Sequence, residues 1–193
     1  VYMKTGSRMS RQARLLQLRT IAAVHFARDG YAGASIEAIA SEAGVSTPYV
    51  YKSFAGKAGL FAEAFQSVMS DLTDGMVAAA EGATGTAGLV AMGRHYKKLV
   101  QDRSPLVLKL QAFAAADNPE LTAAVRDAYR DHWTRLRKAV KDVPIEEFRV
   151  FMALGEHLNG MAIIGATNVG PDFENNGDTR VITEADYAYI GGN

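Results

Sequence analysis

SIEAIASEAGVSTPYVYKSF, residues 35–54, reads as a short helix, a tight turn and a second short helix. Ser35 is placed as an N-cap and Glu37 falls in the first turn, where the helix dipole favours an acid. Gly44 breaks that helix inside the turn Ala43-Gly44-Val45. The next begins at Ser46 or Thr47 with Pro48 in its first turn, where a missing N–H costs nothing. Ile36, Ile39, Ala40, Val45 and Val50 are spaced to pack the two helices on each other and on the helix before them. That is a helix-turn-helix, whose second helix enters a major groove while the first crosses the backbone.

The same helical spacing extends in both directions. Leu15, Leu18, Ala22 and Phe26 mark one face of a first helix over about 10–29, closed by Gly30. From Gly56 a fourth helix carries Leu60, Phe61, Ala64, Phe65, Val68, Met69, Leu72 and Met76, continuing to about Glu81 before Gly82–Gly88 interrupts it. Helices five and six follow near 86–102 and 105–116, parted by Ser104-Pro105. Asn118-Pro119-Glu120 opens a seventh, and Pro144 with Glu146 and Glu147 an eighth. No window alternates with period two, so the expected fold is all-α. From about Asn168 the chain turns to Gly, Pro, Asn and Asp, and Val181–Ile190 is the stretch there able to hold local structure. The expected organisation is a basic lead-in over 1–9, a helix-turn-helix unit over 10–56, a second helical unit over 57–170, and an irregular tail over 171–193.

Composition narrows the function. A chain of 193 residues, 48% hydrophobic, buries roughly 70% of its unfolded surface. Without cysteine it has no disulfide framework, thiolate zinc site or cysteine nucleophile. No apolar run approaches the ~18 residues of a membrane span and no secretory leader pattern is visible, so a soluble cytoplasmic protein without a membrane partner is expected. The formal net charge is zero, yet residues 1–58 hold eight basic and three acidic side chains, and the remainder 13 basic and 18 acidic. A polyanion would be drawn to one end and repelled by the other.

The ordered run Ile21-Ala22-Ala23, Phe26, Gly30-Tyr31, Ser35-Ile36, Ile39-Ala40, Ala43-Gly44-Val45-Ser46, Tyr51, Phe54, Lys57 and Leu60 resembles the DNA-binding region of the tetracycline-repressor (TetR) family of bacterial regulators. The resemblance is strong over about 10–65 and architectural beyond. Ala34, Ser53, Gly56, Ala58 and Gly59 depart from the family pattern, which touches the phosphate clamp more than the fold. The resemblance implies double-stranded operator DNA as partner and helix three as the reading helix. Thr47, Pro48 and Tyr49 then reach base edges. Tyr51, Lys52, Ser53, Lys57 and Ser35 meet the phosphate backbone, with Arg8, Arg11 and Arg14 at phosphate or in the minor groove. Each lysine alone reads equally as a solvated side chain, and Tyr51 as a packed aromatic.

The resemblance also implies a homodimer and a small-molecule effector. Phe151, Leu154, Leu158, Met161 and Gly165 repeat close to a heptad seam, and Leu121, Val125, Ala128, His132 and Leu136 give the seventh helix a similar face. Two such helices per subunit would make a four-helix bundle across a twofold axis. An effector pocket between helices four and seven would draw on Met69, Met76, Met92, Tyr96, Leu99, Phe113 and Trp133, with His95, Gln111 and Asn159 as polar contacts. Methionines suit an adaptable apolar or amphipathic site, and packed core explains the same positions. The expected action is repression relieved when the effector shifts the subunit arrangement.

Rival classes fare worse. The four histidines are scattered and no nucleophile elbow or phosphate loop is present, so neither an enzyme nor a cofactor is expected. The tail from Asp172 faintly resembles a calcium loop, but its closing glutamate is one residue late and Pro171 blocks an entering helix. A helical dimeric adaptor without DNA binding leaves the charge split and the 35–54 unit unexplained.

Overall fold

The computed structural model describes residues 9–99 and 102–165, which form eight α-helices and, among the described residues, no strand. These are α1 (Arg11–Gly33), α2 (Ile36–Glu42), α3 (Thr47–Phe54), α4 (Gly56–Ala79), α5 (Thr86–Leu99), α6 (Arg103–Ala114), α7 (Pro119–Ala139) and α8 (Ile145–Ile163). The calcium-like stretch and the tail lie outside the described residues.

Local signals account for most boundaries. Ser10, Ser35 and Ser46 cap α1, α2 and α3 by accepting from the backbone N–H of Ala13, Ala38 and Tyr49. Gly30, at φ 69°, breaks the regular helix inside α1, so the last turn to Gly33 runs on a new axis. α6 begins before the expected residue 105: Asp102 accepts from Ser104 N–H at 3.1 Å, putting Ser104 and Pro105 inside the first turn. Asp102 competes better because an ionised carboxylate is the stronger acceptor.

α4, at 24 residues about 36 Å long, is the axle. α7 runs along it, α1, α3 and α5 pack on it, and α6 is held between α1 and α8. At its N-terminal end Phe61 is fully buried, edge-on to Phe26 at 4.8 Å and Tyr31 at 5.4 Å between ring centroids. Leu18, Ala22, Ile39, Val50 and Leu60 complete a core that is closed to water.

The α3–α4 junction is unusually tight. Ala55 takes a left-handed conformation (φ 53°) and links the two helices with no side-chain cap. A Cβ on Gly59 would stand 1.6 Å from the Phe54 carbonyl oxygen. Glycine is required there by backbone contact, which no rotamer change relieves. Gly59→Ala is therefore expected to destabilise the protein by about 2 kcal/mol or more, read as a lower urea midpoint. An unchanged midpoint would show that α3 and α4 separate freely.

Candidate nucleic-acid interface and ligand cavity

The N-terminal end of α3 faces outward because Val50 and Phe54 are buried on its other side. Pro48, Tyr51 and Lys52 are exposed, while Thr47, Tyr49 and Ser53 are half-buried. Beside them runs a groove of about 400 Å³ lined by Met9, Arg11, Arg14, Val45 and Tyr49. Arg11 is exposed, and Arg8 lies outside the described residues. Arg11 and Arg14 of α1 thus stand beside the N-terminal end of α3.

Three expected backbone anchors are engaged within the chain. Arg14 donates to the Ala43 carbonyl at 3.0 Å, tying α1 to the turn of the helix-turn-helix. Ser35 is occupied as the α2 cap and donates to Glu37, whose carboxyl is held below its usual range by its own backbone N–H and by that hydroxyl. Lys57 donates to the Ala32 carbonyl at 3.0 Å and stands 5.2 Å from the centre of the Tyr31 ring. That bond satisfies the open end of α1 and leaves two ammonium protons for an outside partner. His25, buried, meets Glu42 at 2.8 Å and fastens α1 to α2, a link the sequence reading did not identify.

A second concavity lies between α4 and α8, lined by Met76, Gly93, Tyr96, Lys109, His132, Phe151, Met152, Gly155, Glu156 and Leu158. The space at its centre is about 30 Å³, the room of roughly one water. Lys109 and Glu156 pair across it at 2.6 Å, and the Tyr129 hydroxyl donates to the same Glu156 oxygen at 3.2 Å. Burial and the Glu156 charge raise the Tyr129 hydroxyl to about 12. The Tyr96 hydroxyl is buried without a hydrogen-bond partner, and so are both ends of the Asn159 amide. Thr73 donates to the Met69 carbonyl at 2.5 Å, so its oxygen receives the Nδ1 proton of His132 at 2.7 Å. Burial first, then the Lys109 and Arg135 charges, hold His132 down at about 3, hence neutral.

Residues 20–64 match the family described as bacterial regulatory proteins, tetR family. Residues 20–64, from α1 through the helix-turn-helix into α4, carry the pattern of that family. The fold recurs in solved structures. A Pseudomonas aeruginosa PAO1 protein inferred to be a transcriptional regulator is 21% identical with a TM-score of 0.73, over 96% of this chain and 92% of that one. A TetR-like transcriptional regulator from Rhodococcus sp. RHA1 is 16% identical, TM-score 0.66, over 95% and 97%. The transcriptional regulator FadR from Bacillus subtilis, solved with stearoyl-CoA, is 16% identical, TM-score 0.69, over 92% and 97%. At those identities the likeness is one of fold. No curated protein sequence matches the chain.

In this tetR-type architecture the sequence-based site residues separate into distinct groups. Met76 and Tyr96 line the cavity, whereas Met69 and Met92 are buried core of α4 and α5. His95 packs over Gly75, where a Cβ would lie 2.3 Å from its Nε2, and Leu99 is half-buried at the end of α5. Gln111 is used at the head, its side chain 3.0 Å from where a Gly30 Cβ would be. Phe113 is 39% exposed against Tyr129, and Trp133 packs edge-on to Phe148. Lys109 and Glu156 escaped notice because they sit on different helices, 47 positions apart.

The dimer face needs a larger correction. Leu121, Val125, Ala128, His132 and Leu136 are all buried within one chain, where α7 packs chiefly along α4, and the outer side of α7 carries Arg126, Asp127, Arg130 and Asp131. An amphipathic stripe looks the same whichever helix covers it. Phe151, buried, and Leu158, half-buried, both stand in the cavity wall, while Leu154 and Met161 are half-buried elsewhere on α8 and Gly165, past its end, is exposed.

A neutral buried histidine makes stability depend on pH. Its folded value lies below the unfolded 6.5, so its contribution is complete above pH 6.5 and is lost as pH falls toward 3. Wild-type protein should lose about 2 kcal/mol between pH 6.5 and 5 that His132→Asn does not lose. Asparagine keeps an N–H for Thr73 and cannot titrate. Parallel urea curves for the two proteins at both pH values would refute the assignment.

Proposed function

We propose that this tetR-family regulator acts as a homodimeric repressor that lays α3 of each copy in successive major grooves and is released from its operator by a small apolar or amphipathic effector. The exposed N-terminal end of α3, beside the Arg11 groove, carries this reading. Thr47, Pro48 and Tyr49 read base edges, and Tyr51, Lys52, Ser53 and Arg11 hold phosphate. Residues 10–56 serve as the DNA-binding unit and 57–170 as the effector and dimerisation unit. The half-buried residues Leu154 and Met161 of α8, with Gly165 just past its end, form the dimer face, since the α7 stripe is already covered and Leu158 lines the cavity. The work is done in the cytoplasm, where the DNA is.

The unpartnered Tyr96 hydroxyl in the wall of a small, mainly apolar cavity supports an effector at this place. FadR of the same fold holds stearoyl-CoA, which supports an amphipathic one. None of the described helices is long and apolar enough to cross a membrane.

Mobility shifts on duplexes flanking the gene test the reading. Affinity should fall steeply with salt as phosphate contacts release counterions. Lys52→Ala should weaken all duplexes alike and lower the salt slope by about 1, and Tyr49→Ala should relax sequence preference. A protein that shifts no duplex at any salt would be a helical adaptor.

A further inference from the structure

Resting on the reading that this cavity takes an effector, we propose that the effector is an amphipathic monoanion, a carboxylate on an apolar body, whose head displaces Glu156 from Lys109. The two members of the pair differ in freedom. The Lys109 side chain is 5% exposed and lies 5.9 and 5.7 Å from the ring centres of Phe113 and Tyr129. Glu156 is 31% exposed, so its carboxylate can turn into water while the ammonium stays.

That asymmetry selects the sign of the ligand. Lys109 and Glu156 are the charged groups among the cavity-lining residues. An entering cation would have to share the space with an ammonium that has no exit, a desolvated like-charge pair. A neutral ligand would leave the ion pair closed over a space that holds about one water. A carboxylate exchanges one anion for another and keeps the cavity balanced.

The Tyr96 hydroxyl, without a partner in the protein, then gains one. The buried Tyr96 hydroxyl lines the same cavity and has a proton to give an incoming oxygen. The Asn159 amide stands one turn beyond Glu156 on α8. Gly93 and Gly155 bring no side chain to the wall, and Met76, Met152 and Leu158 offer flexible apolar cover for the body of the ligand.

Displacing Glu156 would also cut the polar tie of α8 to Lys109 on α6 and Tyr129 on α7. α6 packs on α1, with Gln111 against Gly30. The head group is thereby coupled to the helix that supports the reading unit.

Full-length protein is titrated with octanoate, 1-octanol and octylammonium, followed by calorimetry and by fluorescence of its one tryptophan, Trp133. Octanoate should bind at least about tenfold tighter than octanol, with octylammonium weakest. Glu156→Gln should tighten octanoate about tenfold and leave octanol unchanged, and Lys109→Met should erase the head-group preference. Far-UV dichroism checks folding, and if Lys109→Met does not fold, Glu156→Gln decides alone. Equal binding of the three probes, a preference for octylammonium, or an unaltered octanoate-to-octanol ratio in Glu156→Gln overturns the inference. Binding by none overturns it too; duplex release by an uncharged compound would in that event leave the effector reading standing.

Discussion

Phe61 lies where α1 and α4 cross, with no exposed surface, wedged edge-on against Phe26 and Tyr31. Aromatic edges of this kind add roughly 0.5–1.5 kcal/mol beyond their area, and their geometry fixes the crossing more narrowly than aliphatic packing would. The same helix that carries Phe61 runs on through Met69, Thr73 and Met76 to the cavity. α4 is buried along one whole face, and close-packed cores do not deform continuously. The junction at Gly59 then matters for a second reason: α3 is held to that helix by a backbone contact with no slack.

The cavity pays for its polar contents in an uneven way. Lys109 has found a partner acid and a partner hydroxyl stands behind that acid, whereas Tyr96 is buried with nothing to bond, as is Asn159 outside the cavity wall. Each unmade bond costs about 1–3 kcal/mol. Apolar replacements would stabilise an isolated fold, so the arrangement is better suited to receiving something than to holding the chain together. His132 shows the contrasting solution, being kept neutral and bonded through Thr73.

Most of the fold was legible in the sequence, and for identifiable reasons. Caps at Ser35, Ser46 and Asn118, breaks at Gly30 and Gly44, and the 3-4 spacing of Leu18, Ala22 and Phe26 are local signals that act before tertiary contact. What escaped is relational. The stripe from Leu121 to Leu136 declares that something covers it, yet α4 of one chain and a helix of a second copy impose the same periodicity. Lys57 was legible as a cation beside a helix start, but its carbonyl partner, Ala32, lies 25 positions back. The Lys109–Glu156 pair has no spacing signature at all, since its two members come from helices brought together by α6 and α8 packing.

Two routes therefore join cavity and reading head. One is α4 itself, continuous from Gly56 beside α3 to Met76 in the cavity wall. The other runs through α6, which carries Lys109 at the cavity and Gln111, two residues on, against Gly30 of α1. Gly30 is the point where α1 departs from helical geometry, and its φ of 69° is open to glycine and strained for other residues. A shift of α6 thus bears on the break in α1, directly before the turn whose Ala32 carbonyl holds Lys57 at the start of α4. The two routes meet at that hydrogen bond. The Lys57–Ala32 bond ties the end of α1 to the start of α4, so the two helices meet there through one polar contact as well as through the Phe26–Phe61 edge.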